Sequence, residues 1–120
     1  MTDPIFDKSE QLKQVQQGIL PGETIIAVYD CIGAGTGFLG ITNLRVVIQD
    51  KSFVGKRTAI TSIPYKNIRS VSVLSNKSWA GQFFSSSSIA VDVAQTTYEA
   101  DFRGMDKAHH VHTVILQHIT

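Results

Sequence analysis

Residues 44–50 alternate between apolar and polar side chains, the pattern of a β-strand that buries one of its faces. One side of the extended chain carries three apolar residues, Leu44, Val46 and Ile48. The other side is polar and includes Arg45. We therefore predict a half-buried strand here, which follows a hairpin turn at Thr42 and Asn43.

Six further stretches have the length and the residue types of strands. Residues 24–31 are apolar on both faces, which predicts a strand covered on both sides. Residues 88–93 and 97–102 alternate cleanly and predict a hairpin that turns at Gln95 and Thr96. The other three strands are predicted at residues 38–41, 58–64 and 68–74. Together they make seven antiparallel strands.

Apolar residues recur every three to four positions near both ends of the chain, the spacing of amphipathic helices. The first helix is predicted to have Asp3 as its N-cap and Pro4 at its first position, and to end near Gly18. Its few lysines favour packing on its own domain or on a neighbouring subunit over a membrane surface. The second helix is predicted at residues 104–119, where one apolar stripe holds Met105, Ala108, Val111 or His112, Ile115 and Ile119.

A chain of 120 residues, 42% hydrophobic and 18% charged, suits one globular domain and lies far from the composition of disordered proteins. It contains no apolar run near the ~20 residues that a membrane-spanning helix needs. The first residues combine neither a basic leader nor a long apolar stretch, so we expect a cytoplasmic protein. Cys31 is the single cysteine, which excludes an internal disulfide and favours a small packed residue over a nucleophile.

Charge is distributed unevenly along a chain whose net charge is only +1. Residues 43–79 hold seven lysines and arginines against one aspartate, whereas residues 1–42 and 80–106 are both acidic. This separation predicts attraction between the basic middle and an acidic surface, either within the domain or across a subunit contact. The near-neutral total and the scattered basic residues argue against a nucleic acid partner.

Motifs of catalysis and of cofactor binding are missing from the sequence. The glycine-rich residues 32–38 follow a strand but lack the Lys-Ser/Thr pair of a phosphate-binding loop, so we interpret them as a connection between strands. No H-E-x-x-H, G-x-S-x-G, C-x-x-C or calcium-loop pattern occurs. We therefore predict no catalytic residues and no cofactor, and a protein that is not an enzyme.

Four histidines lie in the predicted C-terminal helix. His109 and His112 are three residues apart and share a helix face, so they could supply two ligands to a metal ion, but no third ligand is evident. A subunit contact whose strength varies with pH is a second interpretation, since histidine titrates near neutral pH. Solvated helix side chains are the simplest interpretation, and we predict no metal site.

Residues 75–88 form the longest segment without strand or helix periodicity, and they carry three large aromatic residues, Trp79, Phe83 and Phe84. Side chains of this size seldom stay bare on a monomer. They could cover their own sheet, insert into a neighbouring subunit or dip into a membrane interface. Contact with protein is favoured because Lys77 alone offers little to anionic headgroups, and we predict that these aromatic residues anchor a neighbouring subunit.

Three stretches resemble the sequence of bacterial pleckstrin-homology-like domains: Thr42-Asn43-Leu44-Arg45-Val46, residues 63–71 and Leu20-Pro21-Gly22-Glu23. The resemblance extends over residues 18–118. It implies a mainly β fold, namely a bent antiparallel barrel of about seven strands with a capping C-terminal α-helix, preceded here by an extra N-terminal helix. Residues 1–19 would then be an N-terminal amphipathic helical segment, and residues 20–120 the domain itself.

The same resemblance implies a non-catalytic domain that assembles with itself, as a ring-shaped homo-oligomer, and that has no established small ligand. Relatives that bind phosphoinositides use basic residues between their first two strands, whereas residues 32–38 carry none here, which argues against inositol phosphates. We predict a self-assembling protein-interaction module, open to a further protein partner, whose basic surface meets an acidic flank of the next subunit. The basic residues are Arg45, Lys56, Arg57, Lys66 and Arg69. The less favoured alternative is a peripheral membrane module that contacts anionic lipids through these residues.

Overall fold

The computed structural model describes residues 3–33, 35–51, 58–76 and 86–120. A 3-10 turn, Tyr65–Asn67, joins two of its strands. The helices and strands are, in chain order, β1 (Ile5–Phe6), α1 (Ser9–Gln17), β2 (Ile25–Asp30), β3 (Thr36–Thr42), β4 (Arg45–Asp50), β5 (Ala59–Pro64), β6 (Ser70–Asn76), β7 (Ser86–Asp92), β8 (Thr97–Arg103) and α2 (Asp106–Ile119).

The strands pair in two sheets. The first has the order β1-β2-β3-β4-β5 and the second the order β6-β7-β8. β1 runs parallel to β2, and all the other pairs are antiparallel. The predicted mainly β architecture with an N-terminal and a C-terminal helix is confirmed. The two sheets form a bent sandwich and not a closed barrel, and β1 adds an eighth strand to the predicted seven.

The N-terminal helix begins later than the sequence predicts. The predicted start at residues 3–4 is wrong, because α1 begins at Ser9 and the residues before it form β1. Pairing with β2 satisfies backbone groups of β1, and the backbone N–H of Asp30 donates to the Asp7 carboxylate at 2.9 Å. These tertiary bonds outweigh the local helix signal. The predicted end near Gly18 is confirmed.

α1 covers one face of the five-stranded sheet, which we call the outer face. Its Leu12 and Val15 are buried against four sheet residues, Ile25, Val28, Phe38 and Val47. This contact explains why β2 is buried on both sides, as predicted. The alternation predicted for β4 is wrong in two places. Leu44 lies in the turn and is 43% exposed, while Val47 is buried because α1 lies over the side opposite Val46.

The inner face of the five-stranded sheet packs against the second sheet, and α2 completes this core. The predicted stripe of α2 is confirmed at its centre, and Val114 extends it. The buried residues of the helix are Ala108, Val111, Val114 and Ile115. None of the helices in the described ranges is long and apolar enough to cross a lipid bilayer.

Candidate interaction surfaces

A buried ion pair joins the turn before β2 to the start of β4. The side chain of Glu23 has no solvent exposure, and Arg45 donates to it from Nε at 2.8 Å and from Nη2 at 2.9 Å. The guanidinium also donates to the carbonyl of Gly18 and to the hydroxyl of Ser62. Two-pronged pairs of this kind are among the strongest hydrogen-bonded contacts in proteins, so Arg45 holds three parts of the chain together.

Thr42 and Tyr65 extend this pair into a network that we call the clasp (Glu23, Thr42, Arg45 and Tyr65). The Thr42 hydroxyl donates to Glu23 Oε2 at 2.7 Å and accepts from the backbone N–H groups of Leu44 and Arg45 at 3.0 and 3.1 Å. The Tyr65 hydroxyl donates to the Thr42 carbonyl at 2.6 Å. The clasp therefore joins the three sequence stretches on which the family resemblance depends, and gives their residues a structural role.

The clasp also changes the acidity of its members. Hydrogen bonding from Arg45 lowers the pKa of the Glu23 carboxyl from 4.5 to about 2, against the opposing effect of burial. Burial raises the pKa of the Tyr65 hydroxyl, and the charge of Glu23 adds to this rise. Both groups therefore keep one protonation state around neutral pH, which suits a structural contact.

Three of the five predicted basic residues lie within the described ranges. Arg45 is bound in the clasp, so its guanidinium already has partners. Lys66 lies in the 3-10 turn and Arg69 just before β6, and both are exposed. Lys66 and Arg69 therefore both lie in the connection between β5 and β6, which joins the two sheets, whereas Lys56 and Arg57 lie outside the described residues.

The predicted aromatic anchors, Trp79, Phe83 and Phe84, also lie outside the described residues, so their role stays a prediction. Large apolar side chains are nevertheless exposed on the strands that end the five-stranded sheet. The sequence does not reveal these positions. An exposed apolar residue has the same sequence signal as a core residue, and β1 is too short to show a period.

The five-stranded sheet has two free edges in the described part of the chain, β1 at one end and β5 at the other. β1 exposes Ile5 by 53% and Phe6 by 46%, and β5 exposes Ile60 by 50%. A free edge strand also presents backbone N–H and C=O groups that another strand can bind. Each edge therefore combines exposed apolar side chains with backbone groups that can form hydrogen bonds.

One row of paired residues crosses this sheet and shows which side chains share a face. The row consists of Phe6, Val28, Gly40, Val47 and Ser62. Directly paired residues point to the same face, and Val28 and Val47 lie under α1 on the outer face. Phe6 and Ser62 therefore lie on the outer face at opposite ends of the row. Ile60 shares this face because it is two residues from Ser62 in the same strand.

Two open cavities lie beside the hairpin of β7 and β8 and share Tyr98 in their linings. Their volumes are about 380 and about 300 Å³. The smaller one includes Asp50 and Glu99. The larger one borders the β5 edge and is lined by Ser62, Ile63, Pro64, Asn67, Val93, Ala94 and Tyr98. Neither lining includes a histidine or a cysteine among the described residues.

The glycine-rich connection after β2 links the two sheets. The backbone N–H of Ile32 donates to the carbonyl of Asp101, and the Thr36 hydroxyl donates to the carbonyl of Glu99, both at 2.8 Å. Cys31, just before it, is buried in the core as predicted, and burial raises the pKa of its thiol to about 12. The segment is therefore a structural connection, as the sequence predicts, with an added role in joining the sheets.

Two histidines of α2 contact residues outside the helix. His110 Nδ1 shares a hydrogen bond of 2.6 Å with the hydroxyl of Tyr29, and the ring of His118 stacks on the tyrosine of the clasp. His109 is exposed and His112 is half-buried. Within the described ranges, no three His, Cys, Asp or Glu side chains are grouped in a way that could hold a metal ion.

The chain matches the family model described as bacterial PH domain over residues 4–119. It is similar to the crystal structure of a pleckstrin homology domain from Shewanella amazonensis SB2B, with a TM-score of 0.66 and 19% identity over 94% of this chain and 98% of that one. It is also similar to a DUF1696 family protein with a pleckstrin-homology domain from Shewanella loihica PV-4, with a TM-score of 0.67 and 15% identity over 95% and 94% of the two chains. No curated protein matches. The solved structures show the fold.

Proposed function

This chain belongs to the bacterial PH domain family, and we propose that it is a non-catalytic protein-interaction module that assembles with copies of itself. We expect a ring of identical subunits in the cytoplasm, which leaves other surfaces open to a further protein partner. The part of the chain that the structure describes supports this proposal through its sheet edges.

The observation that carries the proposal is that the five-stranded sheet has two exposed apolar edges, which are formed by different strands. One end is β1 with Ile5 and Phe6 exposed, and the other is β5 with Ile60 exposed. Apolar side chains on a free edge are unfavourable in water and invite pairing with another chain. A second copy of this chain can place its β1 edge against the β5 edge of the first, so each subunit can cover one edge of its neighbour.

Contact between unlike edges is head-to-tail, because each subunit gives one edge and receives the other. Contacts of this kind do not stop at a dimer, because they generate a ring if the rotation between neighbours closes and an open filament if it does not. Ring closure covers every edge in the assembly. Head-to-tail contact between the two edges is compatible with the ring-shaped homo-oligomer that the family resemblance implies.

The lipid-binding alternative has weaker support. The guanidinium of Arg45 is bound by Glu23 and by the carbonyl of Gly18, so phosphate groups would have to displace these partners. Residues 32–38 carry no lysine or arginine. Of the predicted basic residues that the structure describes, Lys66 and Arg69 are exposed, and two cations attract an anionic surface only weakly.

Sedimentation of the purified protein at low and high salt, with and without vesicles that contain anionic phospholipid, tests the proposal. We expect an oligomer whose mass does not depend on the vesicles and which does not pellet with them. Vesicles of neutral phospholipid are the control. A monomer that pellets with anionic vesicles only would contradict the proposal and support the lipid-binding alternative.

A further inference from the structure

We propose that two turns at one end of the five-stranded sheet form a docking surface for an acidic amphipathic helix of a partner protein. The surface consists of Ile19, Leu20 and Leu44, and we call it the leucine tip. Its side chains are 39%, 54% and 43% exposed. The inference rests on the proposed function in one respect, namely that the module binds a further protein. It follows from the exposure, the fixed placement and the charge surroundings of these residues.

The apolar side chains of the leucine tip depart from the usual chemistry of turns. Turns mostly consist of glycine, proline, asparagine, aspartate or serine, whose backbones or side chains suit a tight bend. Leu20 lies in the turn before β2 and Leu44 in the turn before β4, yet both are large, apolar and about half exposed. Natural proteins break such local rules mainly at functional sites. Neighbouring exposed leucines therefore indicate contact with another molecule.

Hydrogen bonds of the clasp hold the two turns next to each other. The Glu23 carboxylate accepts from the backbone N–H of Leu20 at 2.9 Å and, through its other oxygen, from the Thr42 hydroxyl at 2.7 Å. That hydroxyl accepts in turn from the backbone N–H of Leu44 at 3.0 Å. One carboxylate and one hydroxyl thus link the backbones of Leu20 and Leu44, so the two side chains start from neighbouring points.

Asn43 adds three more hydrogen bonds between the same turns. Its side-chain amide donates to the Gly22 carbonyl at 3.1 Å, and its side-chain oxygen accepts from the backbone N–H of Thr24 at 2.7 Å. Its own backbone N–H donates to the Thr24 carbonyl at 3.0 Å. The leucine tip is therefore held in place before any partner binds, and a surface that is already ordered loses little conformational entropy on binding.

Neither turn carries an exposed acidic side chain. Residues 18–24 and 42–45 contain one acid, Glu23, whose side chain has no solvent exposure and is paired with Arg45. An acidic partner therefore meets no exposed carboxylate on these turns, and like-charge repulsion of that kind would otherwise weaken the contact.

Lys66 places a cation beside the leucine tip. Arg45, the residue after Leu44, pairs with Pro64, the residue before the 3-10 turn. Lys66 lies in this turn and is exposed. An apolar surface with a cation at its rim is complementary to apolar side chains that are flanked by aspartate or glutamate. The charges therefore favour an acidic partner.

The size and the charge of the leucine tip disfavour two other occupants. In a symmetric contact with a second copy, two Lys66 cations would approach each other, and three half-exposed side chains cover far less than the ~800 Å² per partner of a standard interface. A lipid surface gains only about 1 kcal/mol from each nearby basic residue. A helix with apolar side chains at positions i and i+4 presents a stripe that suits so small a surface.

Fluorescence anisotropy of a labelled synthetic peptide tests this assignment. The probe is an amphipathic helical peptide with leucines at positions i and i+4 and glutamates around them, and the control is the same peptide with lysines in place of the glutamates. The acidic peptide is expected to bind the full-length protein at least about tenfold more tightly than the basic one. Lys66→Glu should reduce this preference, because it reverses the charge at the rim.

Substitution of the two leucines locates the contact. Leu20→Ser/Leu44→Ser keeps the clasp and should weaken binding of the acidic peptide by at least about tenfold, because the apolar contact is lost. Leu74→Ser is the matched control, since Leu74 is comparably exposed but lies in β6 of the second sheet. It should leave the affinity for the acidic peptide within about twofold of wild type.

Three results would overturn the leucine tip as a site for a partner helix. The first is absent or charge-independent peptide binding, or binding that Leu20→Ser/Leu44→Ser leaves unchanged. The second is flotation with anionic phospholipid vesicles that depends on these leucines, which would assign the surface to lipid. The third is a lower oligomer mass of the double variant by light scattering, which would assign it to a second copy.

The mass of the wild-type protein keeps this inference separate from the proposed assembly. An oligomer that binds neither peptide would remove the leucine tip as a docking site and leave the assembly standing. A monomer that binds the acidic peptide through Leu20 and Leu44 would remove the assembly and support the docking site.

Discussion

Arg45 and Glu23 lie 22 residues apart in the chain and form a two-pronged ion pair around a carboxylate that has no contact with water. Arg45 begins β4, and Glu23 lies in the turn that precedes β2. The pair therefore joins the start of β4 to the turn before β2. Thr42 and Tyr65 add hydrogen bonds to it. Residues that carry the family resemblance thus hold the fold together.

Removal of Arg45 should destabilise the protein strongly. The variant Arg45→Ala leaves the Glu23 carboxylate buried without its cation, and the loss of one partner from a buried pair costs about 3–5 kcal/mol. Urea unfolding followed by circular dichroism measures the free energy of unfolding. Lys66→Ala removes an exposed cation from the neighbouring turn and should change it by less than about 0.5 kcal/mol. Equal effects of the two substitutions would mean that the clasp contributes little.

The clasp should also make stability depend on pH in the acidic range. The pKa of Glu23 is about 2 in the folded protein and 4.5 as a reference for the unfolded chain. Its contribution is therefore fully present above about pH 4.5 and is lost as the pH falls toward about 2, with about 2 kcal/mol gone by about pH 3. Comparison of urea midpoints at about pH 7 and about pH 3 measures this loss. Glu23→Gln should lose less stability than wild type over this interval, and an identical loss would contradict the assignment.

An added methyl group at Gly40 should weaken the contact between α1 and the sheet. A Cβ there would lie 3.3 Å from Val15 Cγ2 and 3.6 Å from Val28 Cγ2. Gly40→Ala should therefore lower the free energy of unfolding by about 1–2 kcal/mol, because Val15 must shift from its packed position. Gly35→Ala is the matched control, since a Cβ at Gly35 would meet nothing within 4 Å. An unchanged free energy of unfolding for Gly40→Ala would show that α1 adjusts freely.

Much of the sheet could be predicted from the sequence, because its strands bury side chains with a period of two. Val91 and Phe102, for example, are both fully buried in the predicted hairpin. β1 could not be predicted in this way. Two residues show no period, and the Asp3-Pro4 pair before them is also a common helix start.

The candidate contact residues could be predicted less well. A sequence shows that Arg45 is charged, but it does not show that the partner of Arg45 is a buried carboxylate 22 residues away. Phe6 and Ile60 have the residue types of a core, and only the order of the strands places them at free edges. Lys66 could be assigned to the connection between two predicted strands, whereas Arg69 falls within the predicted strand at residues 68–74 and lies just before β6.

A mixing experiment tests head-to-tail assembly most directly. Phe6→Lys spoils the β1 edge and leaves β5 intact, whereas Ile60→Lys does the reverse, so each variant alone should have the 13.2 kDa mass of a monomer by light scattering. An equal mixture retains one intact joint between unlike subunits, and its mass should rise to that of a dimer and no further. Wild-type protein should form larger oligomers. A mixture that stays monomeric while wild type assembles, or single variants that still assemble, would contradict contact between β1 and β5.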